Sequence, residues 1–155
     1  MTMESTKVTS PRQRHTLPHE VPNWVKNGSL YFLTICGKPR GKNQFCHSVI
    51  SAKIIETVTH RHASEVWFMR LFLLMPDHVH ALVSFPQEAN LLTSVRQWKN
   101  YVARMQGIKW QRDFFEHRLR NAESWEEKAH YIRQNPVRAG LIANAEAWAY
   151  RWEPA

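Results

Sequence analysis

The sequence predicts an α+β domain built on an antiparallel sheet, because short apolar runs alternate with segments of helical periodicity. These segments follow the order strand, helix, strand, strand, helix, strand, and a further helix comes after them. That order is the split βαβ arrangement of ferredoxin-like domains, in which the two early helices pack on one face of the sheet. We therefore expect the opposite face of the sheet to be left free.

The first strand and the first helix are predicted in the segment from Leu30 to about Arg61. The run Leu30–Cys36 is rich in aromatic and β-branched residues and ends before a cluster of Gly and Pro residues, as a strand does. Apolar side chains then recur at helical spacing. They are Phe45, Val49, Ile50, Ile54 and Val58.

A hairpin, a second helix and another strand are predicted next. Two apolar runs, Val66–Met75 and His78–Phe85, flank the turn residues Pro76-Asp77, which indicates two antiparallel strands. The second helix carries one apolar stripe and stops at Gly107, and residues Lys109–Leu119 contain the last strand. The stripe consists of Leu91, Val95, Trp98, Val102 and Met105.

The beginning and the end of the last helix are both marked in the sequence. Ser124-Trp125-Glu126-Glu127 has the form of a capping box, which predicts the first turn. Pro136 disfavours helical geometry at the residue before it, so the helix should end near Gln134 or Asn135. The spacing buries Trp125, Ala129 and Ile132 and leaves Tyr131 projecting away from that stripe.

Length and composition predict one domain with a polyanionic partner. The chain has 155 residues, and we assign residues 29–155 to a single domain and the proline-containing, aperiodic residues 1–28 to a flexible basic arm. The net charge of +8 and the pI near 9.9 favour a partner rich in phosphates. No membrane-spanning segment, signal-peptide core or C-x-x-C pair is visible, so we expect a cytoplasmic protein without a membrane partner or disulfide framework.

Two histidines on one predicted strand are candidate metal ligands. His78 and His80 are two residues apart, so their side chains leave the same face of the strand and can chelate one ion. Neutral imidazole suits manganese, and magnesium can bind if oxygen ligands complete its octahedron. The segment His60-Arg61-His62 has the same spacing but falls in a predicted helix, where such neighbours diverge. Two half-exposed strand histidines without a ligand are the alternative interpretation.

Tyr131 and Asn135 form a second candidate pair on the last helix. Residues four apart lie on one side of a helix, one turn apart. We interpret Tyr131 as a nucleophile and the carboxamide oxygen of Asn135 as a third metal ligand. The alternatives are a packed aromatic at Tyr131 and a simple helix terminator at Asn135. Tyr31, Tyr101 and Tyr150 are the fallback nucleophiles, although none has a carboxamide one turn further on.

Three blocks of the sequence resemble the REP-associated tyrosine transposases, a branch of the IS200-like Y1 transposases. LMPDHVHALVSFP contains the histidine-hydrophobic-histidine motif of the wider HUH endonuclease superfamily, and YIRQNPVRAGL and WQRDFFEHRLRN resemble the REP-associated branch. Insertion-sequence transposases typically have Gln where Asn135 stands. The resemblance extends in matching order from about Tyr31 to Leu141.

The resemblance implies a ferredoxin-like fold and cleavage of single-stranded DNA beside a small hairpin. Tyr131 would become joined to a 5′-phosphate while a 3′-hydroxyl leaves, and the reaction would serve DNA transposition. The implied cofactor is magnesium or manganese, held by His78, His80 and Asn135. Relatives of the REP-associated branch tend to be monomers, so a monomer is expected rather than a homodimer.

The second half of the chain carries the candidate DNA-binding residues. Basic side chains in this half are candidate phosphate contacts. Aromatic side chains among them are candidate platforms for unpaired bases, and packing in the core is the alternative for each of them. Glu116 and His117 are further candidates for a role in metal binding or proton transfer. The basic set is Arg112, Arg118, Arg120, Lys128, Arg133 and Arg138, and the aromatic set is Trp98, Trp110, Phe114, Phe115 and Trp148.

Three other functions compete with this interpretation. A non-catalytic binder of hairpin DNA would keep the basic surface, but it would not need His78, His80, Tyr131 and Asn135 together. A plasmid-type replication initiator or relaxase lacks support because YIRQNPVRAGL is of the other type. An RNA-binding domain of this fold would use aromatic residues on its open sheet, and no such motif appears on the predicted strands.

Overall fold

The computed structural model describes residues 29–120 and 124–155. The predicted basic arm, residues 1–28, lies outside the described residues. None of the helices in the described part of the chain has the length and apolar character needed to span a lipid bilayer. The elements in chain order are β1 (Tyr31–Cys36), α1 (Ser48–Ala63), β2 (Phe68–Leu74), β3 (His78–Ser84), α2 (Leu91–Gln106), β4 (Phe115–Arg118), α3 (Trp125–Arg133), α4 (Asn135–Arg138), a 3₁₀ turn (Ala145–Ala147) and β5 (Arg151–Trp152).

The strands form one sheet in the order β4-β1-β3-β2-β5, and every neighbouring pair is antiparallel. The first four positions of this order are those of a split βαβ fold, so the predicted ferredoxin-like architecture is confirmed. The short strand β5 extends the sheet beyond β2, with Phe72 opposite Trp152 and Leu73 opposite Arg151. This strand is not predicted by the sequence pattern.

Helices α1 and α2 cover one face of the sheet, as predicted. Their buried side chains pack with Leu33, Ile35 and Val79 of the central strands. The indole of Trp98 donates a hydrogen bond of 2.8 Å to the hydroxyl of Thr57, which links the two helices. Two members of the predicted apolar stripes do not belong to this core, because Val49 is 68% exposed and Met105 is 56% exposed.

The opposite face of the sheet is not free, and that expectation was wrong. Helix α3 places Ala129 and Ile132 against a second apolar cluster, which contains Leu71, Leu73 and Leu82 of strands β2 and β3. These two strands are apolar on both faces, so a covering element is needed to exclude water from the second face. The helix that carries Tyr131 is that element.

Helix α3 begins and ends where the sequence predicts. The hydroxyl of Ser124 accepts hydrogen bonds from the backbone N–H groups of Glu126 and Glu127, at 3.1 and 3.3 Å, as an N-cap does. The helix ends at Arg133, and the single turn α4 follows at once, with proline in its first turn, a position where the missing N–H is tolerated. This additional turn was not predicted.

Candidate functional site

The structure brings His78 and His80 together on strand β3. Their ring centroids are 4.8 Å apart and their planes make an angle of 81°. Both side chains leave β3 on the same face as Leu82, which is the face that α3 covers. In the register with β1, Cys36 lies opposite His78 and Thr34 lies opposite His80.

His80 is buried and neutral at neutral pH. Its ring stacks on Phe32 at a centroid distance of 5.4 Å, and its Nδ1 lies 3.1 Å from the hydroxyl oxygen of Thr34. Burial lowers the pKa of His80 to about 3, with help from the charges of His78 and Arg138 and against a hydrogen bond with the backbone of Leu33. A neutral imidazole is the form that binds metal ions.

His78 is less buried and is held by the residue before it in the turn. Its Nδ1 lies 2.8 Å from one carboxylate oxygen of Asp77. The other oxygen accepts hydrogen bonds from the Arg40 guanidinium at 2.9 Å and from the backbone N–H of Gly41 at 2.7 Å. Burial alone would raise the pKa of Asp77, but the hydrogen bonds from Arg40, His78 and Gly41 outweigh it and hold that pKa well below its usual range. The carboxylate is therefore ionised.

Tyr131 lies on α3 with 52% of its surface exposed, so the prediction that it projects away from the core is confirmed. The ammonium nitrogen of Lys128, one helical turn earlier, is 6.0 Å from the centroid of the Tyr131 ring and 5.4 Å from that of the Phe32 ring. Phe32 in turn stacks on His80. Lys128 therefore lies near both the Tyr131 ring and the ring that stacks on His80.

Arg138 of α4 is a second cation at this position. Its guanidinium carbon lies 4.0 Å from the centroid of the Tyr131 ring, and the same group donates a hydrogen bond of 2.7 Å to the backbone carbonyl of Tyr131. Its charge also acts on His80. The turn that follows α3 thus places a positive charge beside the Tyr131 ring and near His80.

Asn135 is half-buried at the start of α4, one turn beyond Tyr131. Within residues 29–120 and 124–155, no group of three or more His, Cys, Asp and Glu side chains is arranged to hold a metal ion. The role of Asn135 stays a prediction.

The predicted DNA-binding residues have different surroundings. Arg112, Arg118 and Arg120 are exposed, while Lys128 and Arg138 lie at the tyrosine. Arg133 forms a bidentate ion pair with Glu153, at 2.9 and 2.8 Å, and this pair raises the pKa of Arg133. Its guanidinium is thus engaged within the protein.

The aromatic candidates separate by burial. Trp98 and Trp148 are buried, and Trp110 and Phe114 pack against the core under α1 and α2. Phe115, by contrast, is 56% exposed. Phe115 on β4 makes an edge-to-face contact with Phe32 at 6.2 Å. It lies opposite Thr34, which lies opposite His80 on the other side, so these three residues share one sheet face.

The strand register places Glu116 and His117, the two candidates on β4 for metal binding or proton transfer, on different faces of the sheet. His117 lies opposite Phe32 and therefore shares the face of the histidine pair. Glu116 lies opposite Leu33, whose side chain belongs to the core under α1 and α2, so Glu116 is on the other face. Sequence reasoning did not separate them.

Sequence reasoning also missed four residues that surround the histidines: Phe32, Thr34, Arg40 and Asp77. Only Asp77 carried a local signal, since it is a carboxylate next to His78 in the predicted turn. The other three reach the histidines through strand pairing and loop packing, which no local pattern predicts.

Comparison with known proteins supports the resemblance found in the sequence motifs. No family model matches the chain. A REP-associated tyrosine transposase of Escherichia coli K12 is 27% identical over 82 residues, 51% of this chain, and the match spans only 50% of that relative. A Haemophilus influenzae protein assigned to the same group is 26% identical over 142 residues, which cover 79% of this chain and 78% of the relative.

Two solved structures share the fold. A REP-associated tyrosine transposase bound to a REP hairpin has a TM-score of 0.68 at 21% identity, covering 85% of this chain and 81% of that one. A Deinococcus radiodurans protein assigned as a transposase has a TM-score of 0.51 at 16% identity, covering 74% and 92%. The expected resemblance to REP-associated tyrosine transposases is confirmed in sequence and in fold.

Proposed function

Because the chain resembles REP-associated tyrosine transposases in both sequence and fold, we propose that it is a metal-dependent DNA transesterase. It would cut single-stranded DNA beside a hairpin and serve DNA transposition. The observation that carries this proposal is the packing of α3 on the sheet face that also carries the histidines. There Lys128 reaches both the Tyr131 ring and the Phe32 ring that stacks on His80.

In the proposed reaction the phenol oxygen of Tyr131 attacks the scissile phosphorus. A new bond forms between that oxygen and the 5′-phosphate, the bond from phosphorus to the 3′ oxygen breaks, and the proton lost by the phenol balances the one gained by the 3′-hydroxyl. The number of phosphoester bonds is unchanged, so the step can be reversed onto another 3′-hydroxyl without a nucleotide cofactor. Lys128 and Arg138 would stabilise the charge that develops on the phosphate.

The histidine pair fits the divalent cation that this reaction implies. The two rings are close together, and the low pKa of His80 keeps that imidazole neutral and able to bind a metal. We assign His78, His80 and the carboxamide of Asn135 as the residues that would hold magnesium or manganese. When bound, the cation would polarise the scissile phosphate.

The test is incubation of the purified full chain with labelled single-stranded hairpin DNA from the flanks of its gene. One set of reactions contains manganese or magnesium and the other contains EDTA, and a denaturing gel reports covalent protein–DNA complex. We expect an adduct that depends on the metal. Binding without an adduct, across several hairpins and both metals, would instead support the second candidate function, a non-catalytic binder of structured DNA.

Phe115 is expected to stack on an unpaired base of the bound strand. Its exposed ring shares the sheet face of His80, so a base stacked there would lie close to a phosphate at the histidines. Phe115→Ala should weaken binding to a hairpin with a single-stranded flank by about 1–3 kcal/mol, roughly 5- to 150-fold in Kd. Fluorescence anisotropy measures the change, and Phe115→Trp should retain affinity.

Met105→Ala is the matched control, because Met105 is equally exposed but belongs to α2, on the other face of the sheet. The stacking role is wrong if Phe115→Ala and Met105→Ala bind the DNA equally well.

Arg133 is expected to stabilise the fold rather than to contact phosphate. Arg133→Gln removes the half-buried bidentate pair with Glu153, so we expect a loss of about 1 kcal/mol, or roughly 2–4 °C in Tm. The slope of log Kd against log salt concentration should stay unchanged. In Arg112→Gln, which removes an exposed cation, the same slope should fall by about 0.7. An equal fall of the slope in Arg133→Gln would contradict the assignment.

A further inference from the structure

The ring of His78 is fixed through a series of contacts that begins at Arg40. The guanidinium of Arg40 and the backbone N–H of Gly41 both donate to one oxygen of the Asp77 carboxylate, and the other oxygen lies 2.8 Å from Nδ1 of His78. Both carboxylate oxygens are therefore engaged, and the Asp77 side chain has little freedom to turn. The backbone is tied at the same place, since the N–H of Gly37 donates to the carbonyl of Asp77 at 2.8 Å.

These contacts decide which nitrogen of His78 carries the proton. An ionised carboxylate only accepts hydrogen bonds, so Nδ1 of His78 must be the donor. In a neutral imidazole that donates from Nδ1, the lone pair lies on Nε2. Free histidine in water favours the opposite tautomer, with the proton on Nε2, so the arrangement at His78 needs a partner to impose it.

We infer that Asp77, itself held by Arg40, is a positioning residue that fixes the tautomer and the direction of His78, so that Nε2 is the atom that binds the metal. The part concerning the metal rests on the proposed function. Hydrogen-bonded partners of metal-binding histidines commonly act in this way, and their removal reduces metal affinity without removing a ligand. Arg40 also neutralises the carboxylate, which would otherwise place a negative charge near the DNA phosphate.

The tautomer can be measured in the wild-type protein without metal. In protein labelled with ¹⁵N at histidine and held in mildly alkaline buffer, long-range ¹H–¹⁵N spectra distinguish a protonated from an unprotonated ring nitrogen. We expect His78 to carry its proton on Nδ1, with the assignment made from the signal that is lost in His78→Ala. A proton on Nε2 would overturn the inference, whatever the activity of the protein.

The second test is the affinity for Mn²⁺, measured by titration and by the electron paramagnetic resonance of the free ion. Asp77→Asn should weaken binding by about 10- to 100-fold, because the amide can donate to Nδ1 and reverse the tautomer. Asp113→Asn makes the same chemical change at an exposed position and should bind Mn²⁺ like the wild type. Circular dichroism and Tm, recorded for each variant, report whether the fold is retained.

Different results would exclude the metal site and the role of Asp77. If the wild-type protein does not bind Mn²⁺, or if His78→Ala leaves that binding unchanged, the proposed metal site is wrong. The role of Asp77 in metal binding is then wrong as well. If Mn²⁺ binding depends on His78 but is unchanged in Asp77→Asn, the metal site stands and only the positioning role of Asp77 is wrong.

Discussion

Tyr131→Phe is expected to abolish the covalent protein–DNA adduct and to reduce strand cleavage by on the order of 10⁴-fold or more. The substitution removes only the oxygen that would bond to phosphorus. It keeps the ring that Arg138 and Lys128 contact and the helix that carries it, so DNA binding should stay within about twofold of the wild type. The adduct is measured on a denaturing gel with labelled hairpin DNA, and binding is measured in parallel by anisotropy.

Tyr101→Phe is a closely matched control. Tyr101 also lies on a helix, is 36% exposed and has two guanidinium groups over its ring, those of Arg61 and Arg104. It belongs to α2, on the other face of the sheet, so its substitution should leave adduct formation intact. An adduct that persists in Tyr131→Phe would exclude Tyr131 as nucleophile, and mass spectrometry of the attached peptide would then decide between Tyr31, Tyr150 and another residue.

His78→Ala is expected to eliminate metal-dependent cleavage and to weaken Mn²⁺ binding by more than about 100-fold. This loss is larger than the one expected for Asp77→Asn, because Asp77 contacts a ligand and does not itself bind the metal. It removes one of the two imidazoles whose rings lie 4.8 Å apart. His78 is chosen in preference to His80, because the stacking of His80 on Phe32 would be lost together with the ligand. Titration with Mn²⁺ and the gel assay at several metal concentrations report the two effects.

His60→Ala provides the comparison. His60 is an exposed member of the other histidine-x-histidine segment, which lies within helix α1 as the sequence predicts, so the change should affect neither metal binding nor cleavage. Equal Mn²⁺ affinity in His78→Ala and wild type would show that the histidine pair is not the metal site. Cleavage that persists in EDTA would show that the reaction does not require the metal.

Much of the fold could be predicted because its signals are local. The alternation that puts His78 and His80 on one face, the capping of α3 by Ser124 and the stop at Gly107 each depend on a few neighbouring residues. The same holds for the exposure of Tyr131, which follows from the helical repeat.

The arrangement of elements around the site could not be predicted in this way. That α3 covers the second sheet face depends on the packing of Ala129 and Ile132 against strands some 50 residues earlier. The ion pair of Arg133 with Glu153 and the contact of Lys128 with Phe32 are likewise long-range. Helical spacing also predicted too large a core, since Val49 and Met105 have the right spacing but are exposed.

The packing of α3 on the sheet of its own chain has a kinetic consequence under the proposed function. A site divided between two subunits has to be assembled before it can react, so its specific activity falls at high dilution. Here the helix that carries Tyr131 packs on the sheet face of both histidines within one chain, and the pair of Arg133 with Glu153 ties the end of α3 to residues just after β5. The specific activity should therefore be independent of dilution, and each chain should count as one complete reaction centre.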